Sequence, residues 1–446
     1  MEKCVVVRED YRGTAADGRP AGWPGEPVYQ DYNATTPVDT RVAEAARPYW
    51  DQWFGNPSSD HAYGAAPRQA IALARKQVAT LIGAAPGEIV FTGSGSEADQ
   101  LAIRGAVLAG LRAAPGSTAR VITQVTEHPA VLACCEALER WHGVQVTRLP
   151  VDSSGLIDPE AVADALARPA RAQAPAVVSV MLANNETGAL QPVGPIADAA
   201  HEHGALLHVD AAQAAGKTGI DVTALGADLL TVVGHKMYAP KGVAALYVRA
   251  GTALEPVIYG GGQERGLRAG TENVALIAAL GAAAELARYD LASGSESRLT
   301  GLRDRLYGRL AAALPGRVEL NGPPGRRLPN TLNVSIAGLH GYELLAAAPG
   351  VAASTGSACH SGQHAPSPVL TAMGLDEARA LAAVRLSAGR WTTEADIDTA
   401  ADQLADAAIR LAEAAGRPAA PATLGGMAPP DQEARHGPAP RREDRR

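Results

Sequence analysis

Five polar clusters each follow a short, β-rich apolar run, and together they hold the groups that proton transfer and nucleophilic attack require. Lys236 sits in GHKMYAPKG after DLLTVV, Asp210 closes ALLHVD before AAQAAGK, and His128 lies in TEHPAVL after RVITQV. Asn185 belongs to ANNETG after AVVSVML, and GSGSEADQLAI follows EIVFT. A carboxylate or ammonium at the end of an apolar strand is costly unless it is paired or hydrogen-bonded. Taken singly, Asp210 could be a structural ion pair, Lys236 a solvated loop lysine and GSGSE a plain turn.

Together they match one chemistry. Pyridoxal phosphate needs a lysine for a Schiff base, an anionic partner for its pyridinium nitrogen and a cradle for its phosphate. Glycines running directly into a helix leave free backbone N–H groups and a positive dipole end, which suits a phosphate monoester. GSGSE lacks the lysine of a P-loop and the spacing of a dinucleotide fingerprint.

Such groups must be gathered by the fold. Seven strand candidates, EIVFT, RVITQV, VQVTRLPV, AVVSVML, ALLHVD, DLLTVV and VAALYVR, alternate with Ala-rich helical runs between residues 28 and 290. That alternation predicts an α/β architecture, a mostly parallel seven-stranded sheet between helices on both faces. Reactive groups then belong at the carboxyl ends of the strands, where the loops converge. A second unit opens at SESRLTGLRDRLYGRLAAALPG, with Leu299, Leu302, Leu306 and Leu310 on one helical face and a Pro-Gly stop. It continues as a smaller α+β domain with strands TLNVSIAG and VRLSAG and a helix opened by the capping box TEAD.

The expected organisation is a loose leader over 1–27, an N-terminal segment over 28–45 packing with the small domain, and a large cofactor-binding domain over 46–290. The small domain, carrying a cysteine loop, covers 291–415, and the Pro-, Gly- and charge-rich 416–446 reads as a disordered tail.

Composition narrows the function classes. The 40 Lys and Arg against 47 Asp and Glu give −7, spread along the chain with no basic face, which disfavours nucleic acid and anionic membrane. The longest apolar stretch, ALIAALGAAAELA, is broken by Glu285, so no spanning helix is expected. The first residues lack the pattern of a secretory signal, and a reducing cytoplasm is the expected compartment. The 4 cysteines have neither CxxC spacing nor a paired ligand set, so no metal site is expected. HEHG at 201–204 places its imidazoles on different faces of a helix. Cys134 and Cys135 follow a helical apolar period and read as core. Cys359, in ASTGSACHSGQHAPSP, does not.

The motifs YQDYNATTP, GNPSS, FTGSGSEADQLA, TEHPAVL, LANNETG, HVDAAQ, GHKMYAPKGVAALYVR, GGGQERGLRAGTEN, RLPNTLNVS, GSACHSG and VRLSAGRWTTEADID occur in the order found in cysteine desulfurases. The chain thus resembles these fold-type I pyridoxal phosphate enzymes of the aminotransferase class V group over roughly residues 28 to 413. The resemblance implies that Lys236 carries the cofactor, that Asp210 faces its ring nitrogen, and that His128 stacks on the ring and helps move protons. It implies that Gln213 and Asn185 reach the ring hydroxyl, and that His235, Ser96 and the backbone of Gly95 hold the phosphate. Ser94 is an alternative to Ser96 as the side-chain donor, because TGSGS departs from the usual family loop. Thr271 resembles a residue donated by the other subunit of a homodimer. Arg385, with Arg390 as second candidate, resembles the arginine that grips the substrate carboxylate, helped by Asn185.

Cys359 resembles the thiol that takes sulfur from L-cysteine as a persulfide, leaving L-alanine, and passes it to an acceptor protein or thiol. His360 beside it is placed to lower the thiol pKa. ACHS followed by PSPVL also resembles selenocysteine lyases, which makes selenocysteine the alternative substrate. A scaffold that keeps the fold without turnover is a third reading, opposed by the intact Lys236, Asp210, His128 and Cys359.

Overall fold

The computed structural model describes residues 18–20, 27–168, 176–355 and 365–416; Cys4, Cys359, His360, most of the leader and the tail beyond Gly416 lie outside the described residues. The central sheet has seven strands: β1 (Ile89–Thr92), β2 (Arg120–Gln124), β3 (Gln145–Leu149), β4 (Ala176–Met181), β5 (Leu206–Asp210), β6 (Leu229–Val233) and β7 (Ala244–Val248). Their spatial order is β1-β7-β6-β5-β4-β2-β3. Every pairing is parallel except those of β7, which runs against both β1 and β6. Two reversals restore direction, so β1, β2, β4, β5 and β6 all end on one edge of the sheet. The five polar clusters follow those strands.

Strands covered on both faces have no polar side to alternate with, and β1, β4, β6 and β7 are accordingly buried at every position. The helices Ala62–Ile82 and Val274–Ala292 lie against each other, and Gly281 permits the approach: a Cβ there would stand 2.5 Å from Ala74 Cα.

The small domain builds a three-stranded antiparallel sheet, ordered Ala383–Ser387, Thr331–Ile336, Val318–Leu320. Leu299, Leu302, Leu306 and Leu310 of the helix Ser295–Ala313 bury with Ile397 and Leu404 of the helix Glu394–Ala414 in its core. Thr393 and Asp396 form the expected capping box. The segment 28–45 serves both domains. Val28–Tyr29 pairs with Val351–Ala352 of the small domain, while the helix Thr40–Ala46, opened by Asp39, buries Val42 and Ala46 against Ala275, Ala279 and Ala283 of the large one. Asp31, Asn33 and Asp39 also bond Arg385, Thr331 and Arg390 of the small domain, whereas the apolar face of Thr40–Ala46 finds its helix partner in Val274–Ala292.

Candidate active site

β6 ends at Val233 and passes into a 3₁₀ turn, Gly234–Lys236, that delivers Lys236 to the sheet edge. The Lys236 amine donates to the carbonyls of Asn33 at 2.7 Å and Ala34 at 2.8 Å. Burial and, next, the Arg385 guanidinium push its pKa from 10.5 down to about 8, against the opposing pull of Asp210 and Asp31. An amine so placed is deprotonated far more readily than an ordinary lysine, as nucleophilic use requires.

Asp210 closes β5, the neighbouring strand, in register with Thr231 of β6 and Met181 of β4. Its Oδ1 accepts from the Ala212 N–H at 2.8 Å. Burial pushes the carboxyl up, and the fields of His128 and Lys236 draw it back. His128 caps the helix Pro129–His142 with Nδ1, which accepts from the Ala130 N–H at 3.2 Å. A neutral ring held this way carries its proton on Nε2. Burial, then Lys236, lowers the His128 pKa, and Asp210 opposes. The three residues that the sequence brought forward for chemistry thus lie within one another's fields.

Beside them the helix Gly95–Ala113 begins. Ser94 Oγ caps it by accepting the Glu97 N–H at 3.1 Å, whereas Ser96 is exposed on its first turn. Glu97 is held by the Gly93 N–H at 2.9 Å and by Arg268 at 2.8 Å. Gly95 is required by packing, since a Cβ there would lie 2.6 Å from Val233 Cγ2, at the foot of the Lys236 turn. His235 Nδ1 meets Thr35 Oγ1 at 3.1 Å, and burial with the charges of Lys236, Lys241 and Lys217 pushes its pKa down to about 4.

Arg385, 5% exposed on a small-domain strand, donates to the Asn185 carbonyl at 3.1 Å and pairs with Asp31 at 2.8 Å. It sits in the field of Lys236. Arg390 is differently committed. Its guanidinium holds Asp39 and Asp290, each at 2.7 Å, and lies 4.0 Å from the centre of the Tyr238 ring, a tie between domains. Thr271 is exposed in the loop before Val274–Ala292. Cys359 lies outside the described residues.

Sequence reasoning gave no role to Asn33 and Lys217. Asn33 O accepts from both Lys236 Nζ and Gln213 Nε2, the latter at 2.9 Å; its Oδ1 accepts from Lys217 at 3.1 Å and Asn330 at 3.0 Å. Its Nδ2 donates to Thr331 Oγ1 at 2.8 Å and the Asn185 carbonyl at 3.2 Å. The available signals were the asparagine in YQDYNATTP and a lysine four residues after Gln213, a helical step that brings side chains together.

A second omission lies beneath Asp210. His208, two residues earlier on β5 and so on the same face, bonds Ser179 at 2.9 Å and Thr231 at 3.1 Å, with Asp99 3.6 Å away. Burial pushes His208 down to about 3, while burial and the Asp210 charge push Asp99 and Glu127 well up. Burial thus favours the protonated carboxyls and the uncharged imidazole in this layer, and the carboxylate that pulls hardest on Lys236 is Asp210. HEHG separates as expected: His201 bonds Asp228 at 3.0 Å, and His203 bonds its own helix at the Ala199 carbonyl.

A deprotonatable lysine after one strand, a buried carboxylate ending the next and a helix N-terminus beside them fit pyridoxal phosphate: an amine for the aldehyde, an acid for the ring nitrogen, N–H donors for the phosphate. Sheet and site together define an α/β enzyme of fold type I. The aminotransferase class-V model matches residues 28–399. A cysteine desulfurase from Nostoc sp. is 44% identical over 386 residues, 86% of this chain and 93% of that protein. Among solved structures, a NifS-like protein superposes with a TM-score of 0.76 at 33% identity, over 85% of this chain and 98% of that one. SspA in complex with cysteine gives 0.70 at 35%, over 82% and 99%. The chain belongs to the cysteine desulfurase family of class-V aminotransferases.

Proposed function

We propose that this protein is a pyridoxal phosphate-dependent cysteine desulfurase, which takes sulfur from L-cysteine onto Cys359 as a persulfide and releases L-alanine. The observation that carries the reading is the Lys236 amine, brought to about 8 by burial and the Arg385 guanidinium, and lying in reach of the charges of Asp210 and His128 at the sheet edge. When bound, the cofactor supplies an aldehyde and an electron-withdrawing ring. Lys236 would hold it, Asp210 would keep a proton on its ring nitrogen, and Gln213 and Asn185 would face its ring oxygen. His235, Ser96 and the N–H of Gly95 would take the phosphate. Arg385 grips the substrate carboxylate by exchanging Asp31 for it, a fork-to-carboxylate match. His128 Nε2, with Nδ1 engaged, is the imidazole atom that moves protons. The substrate sulfur then bonds to Cys359 Sγ, its bond to carbon breaks, and that carbon gains a proton.

Homodimer formation is part of the reading: Thr271 is exposed, as are Trp50 at 63% and the adjoining rings of Phe54 and Tyr63 at 69% and 66%. An acceptor protein or small thiol in a reducing cytoplasm would receive the sulfur. Borohydride reduction of the loaded protein followed by peptide mapping should place the cofactor on Lys236; a label elsewhere refutes the assignment. Alanine release from L-cysteine should stop in C359A. Retained turnover of L-selenocysteine in that variant, with cysteine turnover lost, would instead favour the selenocysteine lyase reading suggested by ACHS and PSPVL.

A further inference from the structure

Lys217 is 7% exposed, and no step of the proposed reaction uses it. It stands at the end of AAQAAGK, and its amine donates to Gln213 Oε1 at 2.7 Å and Asn33 Oδ1 at 3.1 Å. Burying a lysine among amides is expensive, and burial followed by the charges of Lys236 and Arg385 lowers its pKa well below 10.5. A methionine would fill such a space at lower cost, so the amine must do something a hydrocarbon cannot.

What it does can be read from donors and acceptors. Gln213 has two distinguishable ends, Oε1 accepting only and Nε2 donating only. At one end stands Lys217 Nζ, a donor. At the other stands the Asn33 carbonyl, an acceptor, 2.9 Å from Nε2. Reversing the amide would set oxygen against oxygen at Asn33, so the two neighbours fix its orientation. Asn33 is fixed in turn, because its Nδ2 must meet the Asn185 carbonyl and its Oδ1 must meet Lys217 and Asn330. Of the two N–H groups on Gln213 Nε2, one is used on Asn33 O. That oxygen also receives Lys236 Nζ at 2.7 Å, which places the Gln213 amide nitrogen beside the cofactor lysine with its second N–H unspent.

We propose that Lys217 is a positioning residue that locks the Gln213 amide so that it presents N–H, and never C=O, to the ring oxygen of the bound cofactor. This rests on the proposed assignment of Gln213 to that oxygen. A donor there favours the anionic oxygen and so lowers the proton affinity of the bound cofactor; a carbonyl there would raise it. Without Lys217, Oε1 loses its buried donor and only the Asn33 carbonyl still opposes a turn of the amide.

The readout is the pH midpoint of the visible absorption band of the pyridoxal phosphate-loaded protein, independent of turnover. In K217M the midpoint should rise by about one pH unit, about a tenfold gain in proton affinity, with kcat reduced more than KM. Q213L should shift it comparably, and K217M/Q213L no further than Q213L alone, since Lys217 acts through Gln213. A K217M midpoint equal to that of the unaltered protein, or additive shifts in the double variant, would overturn the inference. Should K217M not fold, Q213E serves: Lys217 still holds one oxygen while the other has no proton to give to an anionic neighbour, and an unmoved midpoint overturns it equally. Absence of any band in the unaltered protein would refute the proposed function instead, so the two failures are distinguishable.

Discussion

The Lys236 amine sets a quantitative expectation for cofactor loading. Only the neutral amine attacks an aldehyde, and lowering its pKa from 10.5 to about 8 raises the neutral fraction at pH 7 about 300-fold, to about one molecule in ten. After burial, the largest contribution comes from Arg385, whose side chain is 6% exposed and so weakly screened. Replacing it in R385M removes the positive field and also leaves Asp31, which pulls the opposite way, without its partner. Both changes raise the Lys236 pKa, by about one unit together, and loading at pH 7 should slow about tenfold. The assay mixes apoprotein with pyridoxal phosphate between pH 6.5 and 9.5, follows growth of the visible band, and confirms attachment at Lys236 by borohydride reduction. The unaltered protein should load faster with rising pH and level off near 8, with R385M levelling off about a unit higher. A rate that still climbs tenfold per pH unit above 9, or coincident profiles for the two proteins, refutes the reasoning.

Other expectations concern the frame. In G95A a methyl group lands 2.6 Å from Val233 Cγ2, and overpacking of this kind costs about 1–3 kcal/mol, measurable by thermal unfolding together with weaker cofactor retention. Arg75 grips Glu264 at 2.6 and 2.8 Å, and the same carboxylate accepts the Phe91 N–H at 2.9 Å; R75M strands a carboxylate 2% exposed and should cost about 3–5 kcal/mol in urea unfolding, with R75M/E264Q recovering part. Glu186, bonded to Ser367 at 2.5 Å, is pushed by burial from 4.5 to about 7. Its folded pKa lies above the unfolded one, so the native state binds more protons between those values. That stability, at most about 3 kcal/mol, is complete below pH 4.5 and lost as pH rises through 7. E186Q should flatten the slope of unfolding free energy across pH 5 to 7, and an unchanged slope would assign it to another group.

Much of this molecule was written in local pattern. Apolar β-rich runs alternating with Ala-rich stretches gave the strands and the layered class, because a sheet covered on both faces is built mainly from apolar residues. Lys236, Asp210 and His128 stood out for a related reason: each is ionisable chemistry at or just past the end of a mainly apolar strand. The capping box at Thr393 and the leucine face of Ser295–Ala313 were equally local.

Other features depended on residues far apart in the chain. The reversed direction of β7, the division of 28–45 between two domains, and the commitment of Arg390 to Asp39 and Asp290 all come from long-range pairing. Asn33 and Lys217 are the clearest case. Sequence alone showed an asparagine near the start and a lysine in a small-residue run, ordinary solvent-facing types. Only tertiary structure buries them together, 184 positions apart, and burial is what obliges every donor to find an acceptor and so fixes what Gln213 turns toward Lys236.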